Sequence, residues 1–598
     1  MSDAAPHSAA TGPDDARATI SALIEALEVP GEFPVEALAD ASAALADPGI
    51  DDPALVDLEA LPFVTIDNDG SRDLDQALHV VALRMSPDAA TRGTIDGTTG
   101  RAADGAPEPT SGEALWRVRY ALADTTRHVV PGTALWTAAL ERGATLYAPD
   151  RALPMLPRAL SEDLLSLEPG VARRALVFDM HVAPDGAITR TDVLRARVRS
   201  RLQLTYEGVQ RTVDGEIGLE GARARDPASL ATSAGAEREA VLESLHALAA
   251  VGRALAAHGR ANGVMAFDRT EGEVRVAGDP AAFEAVPRER LASESWNEQL
   301  SLACNRQGAA LLAALEADDP SLEPVYRVHD APDPGRLRAL EGTLVELADA
   351  LELEGPWRRD PKRGPSLADW FDALPRRPAR RRRAIQRQIL RAQSASRHDG
   401  EPGRHHALAT DGYARFSSPM REIVGVHTHR VLLRALGLVP DSAEESTQAG
   451  RTGLRDAVIA SAEAARARQR ALDRAVRFEA IAATLGRDLA GDEPPWRDGT
   501  VLGIESNKLH VGLDGLALDV KLWREQLEAD TAVDWRFDDV SARPARTGRR
   551  RDDAPPGPPV PEPVPIFLGD GVQVRARRFD PETRRYALDV RLLDIEPG

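Results

Sequence analysis

The chain has 598 residues, 43% hydrophobic and 28% charged, enough for several domains with sizeable cores, and its net charge of −20 argues against a general nucleic-acid coat. Its one cysteine, Cys304, excludes an internal disulfide and a cysteine-based zinc site, and no disulfide-linked partner is expected. With no secretory pattern in MSDAAPHSAATGPDD and no run of about eighteen apolar residues, a cytoplasmic location without a membrane partner is expected.

In chain order, residues 1–50 read as an acidic N-terminal extension with one helical stretch, 16–27. Residues 1–60 hold thirteen Asp or Glu and one Arg. Residues 61–85 alternate and are rich in branched side chains, which predicts strands. Residues 86–114, rich in Gly, Thr, Asp and Pro without periodicity, predict a long exposed insertion. WRVRYALAD, from Trp116, resumes the sheet, so 115–123 is the expected hairpin partner of 76–85. Helical periodicity runs through 235–315, 336–353 and 452–488, the last inside a helical connector at 441–490.

Between these helices, residues 376–398 hold nine Arg and no acid. That run reads equally as an RNA path through phosphate contacts and as a solvated helix face. After Trp496 the texture becomes short strands, GTVLGIESNKLHVGL, GDGVQVRARRF and YALDVRLLDI. A proline-rich interruption at 541–565 is expected to be extended. No repeat of solenoid or propeller period is present.

The densest chemistry lies in FVTIDNDGSRDLDQALHV, Phe63 to Val80, where Asp67, Asp69, Asp73 and Asp75 crowd beside an apolar stretch. Grouped carboxylates resist burial unless a cation compensates them. Hard oxygen donors favour magnesium or manganese, which share phosphate oxygens with a substrate. Asp67 follows the strand-like FVTI, and Asp73 and Asp75, two apart, point the same way from an extended segment. One or two divalent ions would suit that arrangement. A solvated Asp-Asn-Asp-Gly turn is the plain alternative. A calcium loop is disfavoured, because Thr65 and Gln76 stand at its first and twelfth positions.

TIDNDGSRDLDQAL resembles the signature of the ribonuclease II (RNB) family of exoribonucleases. LADTTRHV, LYAPDRALPMLPRALSEDLLSL, SESWNEQLSLACNRQGAALL, PVYRVHDAPDP and HHALATDGYARFSSPMR follow in the family's order, covering roughly residues 50–440, with a weaker match from 496 onward. The resemblance implies an α+β fold: an RNB-type catalytic domain at 51–440, a mixed sheet wrapped by helices around an RNA channel. A C-terminal OB-fold β-barrel at 491–598 would follow.

It also implies a metal-dependent 3′→5′ exoribonuclease that hydrolyses single-stranded RNA to nucleoside 5′-monophosphates. Asp67, Asp73 and Asp75 would hold Mg2+, with Mn2+ as the alternative, and Asp75 would be the least replaceable. Arg421 would contact the scissile phosphate, Tyr147 would stack on bases near the 3′ end, and Glu298 would bind the terminal ribose. Tyr326, Arg327 and His329 belong to matching motifs and are expected to shape the channel. Lys508, His510, Arg575 and Arg577 are the RNA-binding candidates of the barrel, whose type grips single strands with basic and aromatic groups.

Two departures stand out. Gln76 occupies a position where the family has another aspartate; its amide oxygen can ligate but brings no charge. After Arg421 the family reads Arg-Tyr-x-Asp, whereas this chain has Glu422, Ile423 and Gly425. A divergent subfamily is therefore expected, with a catalytically weakened RNB-fold RNA-binding protein as the alternative reading. Asp69 matches no family ligand and is expected to face solvent. Only about fifty residues precede the catalytic domain, where the family carries cold-shock barrels. Wider RNA access and weaker discrimination against structured RNA are the expectation.

Overall fold

The computed structural model describes residues 15–83, 115–222, 235–267, 270–278, 281–516, 518–531, 535–544 and 564–593. The expected insertion at 86–114, the first fourteen residues and most of the proline-rich interruption lie outside them.

The larger sheet has six strands: β1 (Val56–Asp57), β2 (Phe63–Asp67), β3 (Gln76–Leu83), β4 (Leu115–Ala123), β5 (Ala172–Val182) and β6 (Ile188–Thr205). Their order is β1-β6-β2-β3-β4-β5, and β5 pairs again with β6, so the sheet closes on itself. β3 and β4 are antiparallel, with Gln76 opposite Leu122 and Leu83 opposite Leu115. The 18-residue β6 achieves closure by changing partner. It runs antiparallel to β5 along Ile188–Arg199 and parallel to β2 along Ser200–Thr205. Phe63 to Ile66 of β2 are all buried, as a central strand covered on both faces requires.

Two 27-residue helices cover the sheet, α3 (Gly235–Ala261) and α4 (Ala292–Asp318), named after the two N-terminal helices α1 (Ala16–Ala26) and α2 (Val35–Ala46). Leu245, Leu248, Trp296, Leu300 and Leu312 join Val64, Leu78, Tyr120 and Phe178 in one core. α3 has the length and composition of a membrane span, against the expectation from the sequence, but half of its apolar stretch is buried in this core. It is a core helix of the sheet layer.

Beyond the sheet lie α5 (Ala379–Ala392), α6 (Ile423–Ala435) and the 43-residue α7 (Gln448–Ala490). Every residue from Ile423 to Leu433 of α6 is buried, charged ones included. Arg430 is matched by a Glu445 fork with both Nε contacts at 2.8 Å. His429 is bonded through Nε2 to the Phe416 carbonyl at 2.8 Å. A buried charge and imidazole are tolerated only with partners of this kind.

At the C-terminal end, β7 (Arg497–Glu505), β8 (Lys508–Leu513), β9 (Leu518–Trp523), β10 (Gly571–Asp580) and β11 (Arg585–Leu592) form an antiparallel sheet ordered β9-β8-β7-β10-β11. Its core is shared with Leu472, Val476 and Leu485 of α7 and with Ile20 and Leu23 of α1. The arginine run was expected to line an RNA path or to face solvent; Arg380, Arg383, Arg387 and Arg391 stay partly exposed but are ion-paired. It forms α5, which lies on this C-terminal sheet. Arg380 and Arg383 pair with Asp514 at 2.9 and 3.1 Å, Arg387 with Asp519 at 2.9 Å and Arg391 with Glu505 at 2.8 Å. Gln388 donates to the Leu502 carbonyl at 2.7 Å. Glycines make the approach close: a Cβ on Gly569 would stand 3.0 Å from the Arg381 Cα, and one on Gly512 2.6 Å from an Arg383 nitrogen.

Candidate active site

β2 delivers Asp67 to the sheet's edge, and β3 leaves the loop immediately after Asp75. The loop between them is pinned from several sides. Ser166 accepts from the Leu74 N–H at 3.1 Å and donates to the Arg72 carbonyl at 2.7 Å, and the Leu167 N–H reaches the Leu74 carbonyl at 2.8 Å. Gln203 of β6 donates to the Ser71 carbonyl at 2.8 Å. Gly70, at φ +87°, turns the chain where a side chain would strain it. Asp67 Oδ1 accepts from the Asn68 N–H and the Ser71 hydroxyl, and Asp69 is exposed.

Arg421 arrives from 346 residues away and forks onto Asp75, Nε to Oδ2 at 2.9 Å and Nη2 to Oδ1 at 3.0 Å. Asp75 is 0% exposed. Ser418 sits at φ +68°, a left-handed conformation uncommon for serine, and accepts from Arg421 Nη2 at 3.0 Å. The loop carrying both is bolted to α4 by Asn305. Its amide donates to the Tyr413 and Ser417 hydroxyls and accepts from the Phe416 and Ser417 N–H groups, all at 2.7–2.9 Å. Gly308, one turn on, leaves room for the Phe416 ring.

Tyr147 completes the group. Its backbone N–H and carbonyl are both held by the Gln469 amide of α7 at 2.9 Å. Its hydroxyl lies against Arg421 and near Asp73, and burial of that end pushes its pKa up to about 12. The residue is still 47% exposed, so its ring stays open to a planar partner.

The electrostatics are those of an acidic group with too little positive charge. Burial raises Asp67, with Arg421 opposing and Asp75 adding to the rise. Burial also raises Asp73 to about 6, with the same two neighbours acting in the same senses. Burial works most strongly against the Arg421 charge, but Asp75, Tyr147 and Asp67 together outweigh it and the guanidinium stays protonated. Among the described residues no three Asp, Glu, His or Cys are arranged to hold a metal ion. Both oxygens of Asp75 are held by Arg421. The donor set nevertheless fits a hard divalent cation: three carboxylates share one guanidinium, and two of them are driven toward neutrality by burial.

Other expected residues have partners of their own. Gln76 Oε1 accepts from the Tyr120 hydroxyl. Glu298 pairs with Arg290 at 2.8 Å. Lys508 pairs with Glu505 at 2.7 Å and lies over Trp523, and His510 also meets Glu505 at 3.0 Å. Arg575 and Arg577 share Asp589, at 2.9 and 3.4 Å, and Arg575 stacks on Trp496. Glu422, the acid in place of the family's second arginine, is held by Arg415 at 2.8 Å.

The sequence reading missed Tyr206 and Asn297. Tyr206 follows β6 directly, where Thr205 pairs with Asp67. Its hydroxyl accepts from Asn297 of α4 at 3.1 Å. Burial, then the Asp67 charge, pushes its pKa up to about 12. The only sequence signal was an aromatic at a strand end, which is too common to single out.

Comparison with known proteins gives a consistent result. Residues 55–437 match the family model described as RNB domain. Ribonuclease R of Escherichia coli (strain K12) is 28% identical over 397 residues, 66% of this chain and 42% of that protein. Exoribonuclease 2 of Aeromonas hydrophila is 28% identical over 383 residues, 63% of this chain and 47% of that protein. The aligned region thus spans less than half the length of either relative. Among solved structures, Mycoplasma genitalium RNase R in complex with ribose-methylated single-stranded RNA superposes with a TM-score of 0.73 at 18% identity, over 97% of this chain and 78% of that one.

Proposed function

The chain belongs to the RNB domain family, and from that premise we propose that it is a metal-dependent 3′→5′ exoribonuclease releasing nucleoside 5′-monophosphates from single-stranded RNA. One observation carries the reading. Asp67, Asp73, Asp75, Tyr147 and Arg421, from three remote stretches of chain, surround a single buried charge system.

Tyr147 offers its exposed ring to a base near the 3′ end, and Gln469 fixes the backbone beneath it. Arg421 presents a planar fork of the shape that a phosphate accepts. Asp75 holds that fork in place, and Ser418 steadies its Nη2. Asp67, Asp73 and Asp75 would hold Mg2+ or Mn2+, which supplies positive charge against the charge developing on the phosphate in an in-line displacement. Tyr206 and Asn297 line the Asp67 side and are suited to meet the sugar. We further propose that 51–440 is the catalytic unit, 441–490 a connector and 491–598 an OB-fold RNA-binding unit. In the last, Arg575 on Trp496 and Lys508 on Trp523 give the cation and aromatic surfaces such units use.

The test is product analysis on a 5′-labelled oligoadenylate with Mg2+. Stepwise shortening with release of 5′-AMP supports the reading. Tight binding with no release would replace it by the RNA-binding alternative, for which Gln76 turned toward Tyr120 would be the reason.

A further inference from the structure

Beside the acidic group stands a second charge system of opposite balance. Two guanidiniums, Arg415 and Arg466, lie within electrostatic reach of a third, Arg327. Burial lowers the pKa of Arg327, and Arg466 and Arg415 lower it further. Among the described residues, the carboxylates paired with them are two. Glu422 takes Arg415 at 2.8 Å, and Glu463 takes Arg466 at 2.8 Å and His398 Nδ1 at 2.9 Å.

Arg327 pairs with no carboxylate among the described residues. Its Nε and Nη2 donate to the Ser396 hydroxyl, at 3.2 and 3.0 Å. The Arg415 Nε is buried without a hydrogen-bond partner, and so is Nε2 of His398, whose side chain is 2% exposed. His398 contributes no charge, since burial, then Arg327, hold its pKa down to about 4. One cation is thus left over in a half-buried place, which is unfavourable unless an anion arrives. The side chains of Arg415 and Arg466 remain 27% and 25% exposed, so an anion has a way in.

The placement identifies the anion. Glu422 follows Arg421 directly. Arg466 lies three residues before Gln469 on α7, roughly 4.5 Å along the axis, and Gln469 holds both backbone groups of Tyr147. The charge system therefore adjoins the places assigned to the 3′-terminal base and the scissile phosphate. We propose that Arg327, Arg415 and Arg466 form a binding subsite for one backbone phosphate of a strand whose 3′ end lies at Tyr147. The inference rests on the RNA-degrading reading above and adds to it one phosphodiester contact on the upstream side of the cleaved bond.

The test measures binding alone, in EDTA, by fluorescence anisotropy. A set of oligoadenylates carries a single uncharged methylphosphonate at each internal linkage in turn. For the wild type, one linkage near the 3′ end should cost at least tenfold in affinity. In Arg327→Gln and Arg466→Gln, unmodified RNA should bind about tenfold more weakly and that linkage should become indifferent. The slope of log K against log salt should fall by about 0.7, the value for one lost contact to a single strand. A wild-type scan with no sensitive linkage overturns the proposal even if both variants misfold, as do folded variants that keep the linkage sensitivity or the full slope. In either case RNA binding itself survives, so the nuclease reading stands. Absence of RNA binding by the wild type overturns both.

Discussion

Replacing Asp75 by Asn separates two roles of one carboxylate, the first seen in the structure and the second proposed above. The first is to hold Arg421, through contacts of 2.9 and 3.0 Å to a residue with no exposed surface. Hydrogen bonds between charged groups contribute about 1.5–3 kcal/mol each. Arg421 is partly exposed, keeps Ser418 at 3.0 Å and stays within reach of the Asp67 charge, so part of that is recovered. The expected net loss of stability in EDTA is about 2–3 kcal/mol, read from urea unfolding.

The second role is to complete a cation site. Wild-type protein at Mg2+ about ten times its dissociation constant should gain about 1.4 kcal/mol, and the variant should gain much less. Ribonuclease activity should fall by at least about a hundredfold, the scale for losing one electrostatic contact to the reacting group. A variant that is less stable in EDTA yet keeps the wild-type Mg2+ gain and turnover would refute the second role. It would reduce Asp75 to a structural partner of Arg421.

Tyr147→Ala should leave the fold intact, since nearly half the residue is exposed. It should weaken oligoadenylate binding by about 1–3 kcal/mol, measured by anisotropy; unchanged affinity would remove the stacking role. Acid should unfold the protein. Burial lowers His79, His398, His405 and His429 to about 4. Each stabilises the fold while neutral, fully above the unfolded pKa near 6.5, and that contribution is lost as pH falls toward 4. The linkage is about 2 kcal/mol per histidine at pH 5, roughly 8 for the four. Asp73, raised to about 6, acts in the opposite sense and offsets a smaller part. Urea midpoints should drop steeply between pH 7.5 and 5; a flat profile would contradict the burial of these rings. Asp514→Asn frees Arg380 and Arg383, both substantially exposed, and should cost no more than about 1 kcal/mol, shrinking in high salt. Gly569→Ala should cost more, about 1–2 kcal/mol, because it meets backbone at 3.0 Å and takes a non-glycine residue to φ +90°.

Local pattern carried the reading a long way. Six ordered motifs pointed to the RNB family, and the acids Asp67, Asp73 and Asp75 crowd within nine residues, so chain connectivity alone keeps them close. β5 and β6, the longest strands of the six-stranded sheet, escaped notice although Ala196, Val198, Leu202 and Leu204 alternate with polar residues and are buried, the pattern of a strand with one covered face. The arginine run was read without its partners. Composition shows that a segment is basic but not that its counter-charges, Asp514, Asp519 and Glu505, stand on a distant sheet.

The sequence by itself determined the family, the mixed α and β class and the residues able to carry phosphate chemistry, because those follow from side-chain type and short-range order. Tertiary structure decided which partner each charge received. Arg421 was given to Asp75, Gln76 was turned to Tyr120, and Tyr206 was brought to Asp67. Electrostatic interaction depends on distance and burial, and contacts spanning up to 346 residues fix both only after the chain has closed its sheet.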